Sequence, residues 1–282
     1  MRIAFQGEIG AFSEEAVGAM YPSGTAVAKP SFEAVFEAVE KGEVDLAVIP
    51  IENSLFGSVH ANYDLLRSHE LSIVGEVQLR IRHCLMAPRV ASLDGLKKIH
   101  SHPQALGQCR DFLRDRVPHA EAVPAYDTAG AAKLVAEAGR SDEAAIASEK
   151  AAQEYGLDVL ARGIESNHQN YTRFLALSRP DEKPEGDRDT SHVDWKTSVV
   201  YSMRKNVPGA LFKSLAVFAL RDLDLFKIES RPLVGSPGNY LFYLDVGGAT
   251  GDEPVDRALD HLAEIASYLK VLGSYPKGRT VE

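Results

Sequence analysis

Over the first 180 positions, short apolar runs alternate with amphipathic stretches. Ile3-Ala4-Phe5 is an apolar run that stops before Gly7. Ser13 with Glu14 and Glu15 reads as the first turn of a helix, where the macrodipole favours acids. Phe32, Val35, Phe36 and Val39 fall at i, i+3, i+4 and i+7, an apolar stripe along one helix face. Ser31 is the expected N-cap of that helix and Gly42 its stop. Leu46-Ala47-Val48-Ile49 predicts a buried strand ended by Pro50. Further strands are expected at 71–77, 84–87, 99–100, 144–147 and 174–177. Pro103 suits the first turn of a helix carrying Leu106, Cys109, Phe112 and Leu113, and another helix is expected over 129–138. Strands alternating with helices predict an α/β fold with largely parallel sheets.

The pattern breaks at 181–194, where six acids and two bases accompany Pro, Gly and almost nothing apolar. Such a stretch reads as a linker. Beyond it, 197–203 alternates like a strand, and Pro208-Gly209 precedes a helix with Leu211, Leu215 and Phe218 on its apolar face. Strands are expected at 226–229 and 240–246. A helix over 255–269 would carry Leu259, Leu262, Ile265 and Leu269 on one face, with a last strand near Val271. This β-α-β-β-α-β order is ferredoxin-like. The expected organisation is a domain at 1–180, a linker at 181–194 and a second domain at 195–282.

A chain of 282 residues is long enough for those two domains. Thirty-one basic against 40 acidic residues leave a net charge of −9, without a basic cluster. That balance argues against nucleic acid or an anionic membrane as partner. Any anionic ligand must be held by local donors. Cys84 and Cys109 form no C-x-x-C pair and share no zinc-ligand spacing, so no metal is expected, and isolated thiols suit a reducing cytoplasm. Residues 1–7 carry no signal-peptide h-region, and no run approaches the roughly 18 apolar residues of a membrane span.

Four polar clusters border predicted strands, where open α/β sheets bind ligands. Gly7, Gly10, Ala11, Phe12 and Ser13 form either an anion-binding turn at a helix start or a plain connection. Glu52-Asn53-Ser54 lines a cleft or makes a turn. Ser101-His102-Pro103-Gln104 with Gln108 offers polar side chains at a helix start, or simply caps it. Thr172-Arg173-Phe174 opens a strand, with Arg173 suited to a carboxylate ligand or to a structural acid such as Glu52. No serine–histidine–acid set can be read from the chain.

These clusters, in this order, resemble the prephenate dehydratase family. Gly7 with Gly10-Ala11-Phe12-Ser13 is similar to its Gly-x-x-Gly-Thr-Phe-Ser opening, with Ala11 for Thr. Glu52-Asn53-Ser54, Ser101-His102-Pro103-Gln104 with Gln108, and Thr172-Arg173-Phe174 are similar to its other signatures. Residues 195–282 resemble an ACT regulatory domain. Gly209-Ala210-Leu211-Phe212 and Glu229-Ser230-Arg231-Pro232 look like its phenylalanine-binding motifs, although Asp224 and Phe226 depart from the usual Asn-Leu-Thr-Lys before the second. With no stretch before it that resembles chorismate mutase, the chain looks like the monofunctional form.

The resemblance implies a two-lobed catalytic domain of the type II periplasmic-binding-protein kind, with lobes at about 1–78 plus 162–180 and at about 79–161, and a ferredoxin-like ACT domain. It implies conversion of prephenate to phenylpyruvate, carbon dioxide and water without a cofactor. Arogenate dehydration and non-catalytic amino-acid sensing are the alternatives. Thr172 would donate to the leaving hydroxyl and Arg173 would hold a carboxylate. Asn53, Ser101 and Gln108 would position the substrate, and Glu52 would orient a neighbour. Gly10, Ala11, Phe12, Ser13, Ser54 and Phe174 would complete the pocket. L-Phenylalanine would bind at Gly209, Ala210, Leu211, Phe212, Glu229, Ser230, Arg231 and Pro232, in a dimer or tetramer formed through ACT domains.

Overall fold

A computed structural model describes residues 1–180, 194–204, 207–233 and 235–282. The chain forms two compact units. Unit 1 comprises Met1–Asn62, Val77–Phe174 and Thr280–Glu282; unit 2 comprises Tyr63–Glu76 and Leu175–Arg279. Apart from Asp194, the expected linker at 181–194 lies outside the described residues.

The chain opens with β1 (Arg2–Gln6), α1 (Phe12–Met20), β2 (Thr25–Lys29), α2 (Phe32–Glu40), β3 (Leu46–Asn53) and β4 (Gly57–Ser58). The amphipathic stripe seats α2: Val35, Phe36 and Val39 are buried, and Ser31 Oγ caps it by accepting from Ala34 N at 3.2 Å. Pro50 does not end β3, contrary to expectation. The ladder with β1 uses only Leu46 and Ala47, so a missing N–H at Pro50 breaks none of its bonds, and the Pro50 carbonyl accepts from Asn62 Nδ2 at 2.6 Å. This extension carries Asn53 to the end of the strand.

Next come α3 (His60–Ser68), β5 (Ser72–Arg80), β6 (Cys84–Ala87), β7 (Lys98–Ser101), α4 (Pro103–Gln108), α5 (Arg110–Arg116) and β8 (Glu121–Pro124). They are followed by α6 (Thr128–Ala138), β9 (Glu143–Ala147), α7 (Glu149–Tyr155), β10 (Asp158–Arg162) and β11 (Tyr171–Ser178). The single helix expected after Pro103 is two, divided at Cys109, whose φ of −101° and ψ of 13° leave the helical region.

The last elements are β12 (Trp195–Met203), α8 (Ala210–Ala219), β13 (Leu225–Pro232), β14 (Tyr240–Gly247), α9 (Glu253–Ile265), β15 (Ala266–Pro276) and β16 (Thr280–Val281). Among the described residues no helix is long and apolar enough to cross a membrane.

One sheet runs β16-β5-β11-β3-β1-β2, with β4 beside β3, and a second runs β10-β6-β9-β7-β8. In the first, β1 lies between β2 and β3; in the second, β7 lies between β8 and β9, and all four of these pairings are parallel. Successive strands are thus laid on opposite sides of β1 and of β7, which opens a crevice at the carboxyl ends of the strands. The second sheet is mixed rather than largely parallel, because β6 pairs antiparallel with both β9 and β10. Its core gathers Leu85, Ile99, Cys109, Val117 and Ile146.

In unit 2 the order β13-β14-β12-β15, antiparallel at every pairing, is ferredoxin-like. Helix α9 stops at Ile265, so Leu269 is not on a helix face but in β15 opposite Tyr201. The β-branched and aromatic residues around it favour extended chain. The buried face of α8 is Ala210, Ser214, Val217 and Phe218; Leu211, expected inside, is 39% exposed. Val255, Ala258 and Leu262 seat α9 on this core. Leu262→Ala should destabilise this unit by about 2–5 kcal/mol, read as a lower urea midpoint; an unchanged midpoint would contradict this packing.

Candidate active site

A cavity of about 660 Å³ opens where the carboxyl ends of β1, β3 and β7 point. Gln6 ends β1 and Asn53 ends β3, and both line it, as do His102 just after β7 and Thr172 near the start of β11. Among the predicted residues, Ala11, Phe12, Ser13, Asn53, Gln108, Thr172 and Phe174 share this wall.

Asn53 organises the polar part. Its Nδ2 donates to Thr172 Oγ1 at 2.9 Å and to Asn170 Oδ1 at 2.8 Å. Its Oδ1 accepts from the amides of Leu55 and Phe56 at 3.0 and 3.1 Å. Every strong group of this amide is therefore used. Thr172 is 9% exposed, and its oxygen receives a bond from Asn53, so its own hydroxyl hydrogen is left to donate elsewhere.

Other expected residues do not line the cavity. Arg173 is 8% exposed but absent from the wall. Strand alternation explains this: Thr172 and Phe174 share one face and Arg173 takes the other. Glu52 is off the wall by the same alternation beside Asn53. Ser101 is fully buried, its Oγ donating to Ile146 O at 2.6 Å, which ties β7 to β9. Ser54 Oγ donates to Gln169 O at 2.8 Å and accepts from Tyr171 N at 3.0 Å, which pins the loop to β11.

Gly10 is also off the wall. Its φ is +89°, and a Cβ there would meet Ala151 Cα at 2.7 Å. Its carbonyl accepts from Ser148 Oγ at 2.6 Å, and its neighbour Ile9 O accepts from Tyr155 Oη at 2.8 Å. The first loop is thus a joint against α7 as much as a cavity edge. Glu8 extends it: its backbone N–H donates to Asp127 Oδ2 at 3.1 Å, and its carboxylate accepts from Lys133 Nζ at 3.1 Å.

Ala11, Ser31, His102 and Asp127 are the N-caps of α1, α2, α4 and α6, and all four line the cavity. Their positive dipole ends converge there. Ser31, His102 and Asp127 cap their helices with side-chain acceptors, but Ala11 cannot. Among the described residues the amides of Phe12 and Ser13 have no acceptor, so two N–H donors stand open at the start of α1. Among the described residues no Lys or Arg lines the cavity, whereas Glu33 and Asp127 do.

His83 is a wall residue that sequence reasoning missed. It is 2% exposed, its Nε2 lies 2.6 Å from Gln108 Oε1, and burial pushes its pKa below the usual histidine value. A lone His ahead of a short strand carries no periodic signal. Cys84 and Cys109 are buried, and burial pushes both thiols up, Cys84 to about 11, so neither is a ready nucleophile.

In unit 2, Gly209 caps α8 with a φ of 81°, Ala210 is buried, and Leu211 and Phe212 are exposed. Glu229, Ser230, Arg231 and Pro232 end β13, and Arg231 Nη2 donates to Asp64 Oδ2 on α3 at 3.0 Å. Asp224 Oδ1 accepts from Leu225 N at 2.9 Å, and Phe226 lies under Lys196 and Lys277 at 5.1 and 4.6 Å.

The family model described as Prephenate dehydratase matches residues 3–182. Over 290 residues the chain is 49% identical to arogenate dehydratase/prephenate dehydratase 2, chloroplastic, of Arabidopsis thaliana, covering 100% of this chain and 74% of the relative. It is 36% identical to the prephenate dehydratase of Arthrobacter aurescens solved in complex with L-Phe, with a TM-score of 0.88 over 98% of this chain and 89% of that one. GqqA, described as a novel type of quorum quenching acylase, is 35% identical, with a TM-score of 0.86 and 98% of each chain covered. Because Ser101 is a buried strut, Ser101→Ala should destabilise the fold by about 1–3 kcal/mol, read as a lower thermal midpoint, while leaving ligand affinity in the cavity within about threefold. A selective loss of ligand affinity at unchanged stability would put Ser101 back on the wall.

Proposed function

The chain belongs to the prephenate dehydratase family, and from that premise we propose that it catalyses the decarboxylative dehydration of arogenate and prephenate. The carrying observation is the Asn53–Thr172 hydrogen bond, which leaves the Thr172 hydroxyl as a donor at a cavity wall.

In the proposed reaction the bond from the ring to its carboxylate breaks and carbon dioxide leaves. The electron pair moves through the ring, expels the hydroxyl at the opposite position and leaves an aromatic product. Hydroxide is a poor leaving group, so a donor at that oxygen lowers the barrier. Thr172 supplies it as a hydrogen bond that strengthens while charge develops. Threonine is too weak an acid to give up its proton outright, so the proton that completes the water comes from solvent. The open amides of Phe12 and Ser13, at the positive end of α1, receive a substrate carboxylate. This role passes to them from Arg173.

A second observation bears on the choice between the two substrates. Arogenate carries an ammonium where prephenate carries a keto group. Among the described residues the wall has carboxylates at Glu33 and Asp127 and no Lys or Arg, a field that suits the ammonium-bearing substrate. The name of the Arabidopsis relative carries both activities, which supports turnover of both substrates. Unit 2 is proposed to be an ACT domain that binds L-phenylalanine and pairs with a second copy. Its ferredoxin-like order supports this reading, as does the similarity to a structure in complex with L-Phe.

The test is turnover of each purified substrate, followed as phenylalanine from arogenate and phenylpyruvate from prephenate. Both should react, with kcat/KM about fivefold higher for arogenate, the size of an exposed ion pair of roughly 1 kcal/mol. A preference for prephenate would overturn the substrate assignment, and no turnover of either would overturn the dehydratase reading. Millimolar L-phenylalanine should change the rate; an unchanged rate together with no binding by calorimetry would remove the effector role.

A further inference from the structure

His83 combines three features that packing alone does not require. It is 2% exposed and yet lines the cavity. Its Nε2 lies 2.6 Å from Gln108 Oε1, a short contact. Its Nδ1 is buried without a hydrogen-bond partner among the described residues. A buried imidazole that spends one nitrogen on a neighbour and leaves the other unpaired costs stability, so its retention at a cavity wall calls for a return.

The geometry shows what that return is. Gln108 ends α4, and its backbone carbonyl accepts from Ser166 N at 2.8 Å, so the main chain is held. Among the described residues the side-chain amide is held only by His83. An amide oxygen accepts, so the imidazole donates from Nε2–H, and Nδ1 is the bare nitrogen. With its oxygen turned to His83, the Gln108 amide is oriented to offer its N–H groups to the cavity it lines. If it were free to flip, it would present an acceptor to an anionic substrate half the time.

The ring itself is clamped. His83 N donates to Glu165 Oε2 at 3.0 Å, and His83 O accepts from Ile164 N at 3.1 Å. Phe12 meets the ring edge-on at a centroid distance of 5.4 Å. Glu165 is the charge that acts on it, and its other oxygen faces His168 Nδ1 at 3.3 Å. Burial disfavours the imidazolium despite Glu165, so the ring stays a neutral one-proton donor.

We propose that His83 is a positioning residue for the dehydratase reaction, acting through Gln108 by fixing its amide with the N–H donors toward the substrate. This rests on the dehydratase reading of the same cavity. The effect belongs mainly in kcat, because an amide that must reorient for each turnover penalises the transition state more than binding.

A double-mutant cycle tests it. His83→Asn should lower kcat by about ten- to a hundredfold with KM within about threefold. His83→Gln, whose amide nitrogen reaches roughly as far as Nε2, should recover most of that loss. In a Gln108→Ala background, His83→Asn should cost almost nothing further. Multiplicative losses in the double variant, or a His83→Gln variant as slow as His83→Asn, would overturn the proposal. Nitrogen-15 NMR of the imidazole tests the pair without turnover. The Nε2–H tautomer should be present at neutral pH and shift on Gln108→Ala. An Nδ1–H tautomer, or a spectrum indifferent to Gln108→Ala, would overturn the pairing. A wild type that turns over neither substrate, with the NMR result intact, would locate the failure in the dehydratase reading.

Discussion

The candidate active site depends on one side-chain amide being fully spent. Asn53 gives its hydrogens to Thr172 and Asn170 and takes two backbone hydrogens from Leu55 and Phe56. It joins the end of β3 to the start of β11 and orders the turn that follows. Since it has nothing left to offer a ligand, its function is exerted on Thr172, whose oxygen it occupies and whose hydrogen it thereby directs away. The same arrangement recurs with His83 and Gln108, where a buried donor occupies an acceptor and leaves N–H groups on the wall. Both pairs bias ambivalent groups, a hydroxyl and an amide, toward donating to the cavity. Under the proposed reaction, a cavity that receives carboxylates and releases hydroxide needs that polarity.

The electrostatics follow from the fold. The net charge of −9 is unfavourable to an anionic substrate, and among the described residues no Lys or Arg lines the cavity to offset it. The doubly wound topology does so instead, because it aims helix starts at the crevice. Four N-caps reach the wall, and the one lacking a side-chain acceptor, Ala11, leaves two amides open. A Thr or Ser at position 11 could bond back to the helix and close one of them. The departure at Ala11 therefore bears on anion binding directly.

Much of this was legible in the chain. The stripe of Phe32, Val35, Phe36 and Val39 and the run Leu46–Ile49 announced their elements, because each buries a continuous face. Strands β2, β8 and β10 escaped notice, since each is a sheet edge with little buried side chain to reveal it. The polar clusters were found, but their members were not equally placed. Spacing brings a cluster to a strand end; the parity of the strand then decides which member faces the cavity. Thr172 and Asn53 face it, and Arg173 and Glu52 do not. Ser101 looked chemical and is a strut to Ile146 O. His83 looked like nothing, because a single polar residue between two strands has no pattern until the fold closes around it.

The central claim is that a hydroxyl held as a donor by Asn53 assists departure of the leaving oxygen. The most direct measurement compares kcat for Thr172→Val, which keeps the shape and removes the hydroxyl, with kcat for Thr172→Ser, which keeps the hydroxyl. The account predicts that Val lowers kcat by about a hundredfold or more with little change in KM, and that Ser retains kcat within about tenfold of wild type. A Thr172→Val enzyme turning over near the wild-type rate, or losing only affinity, would contradict it.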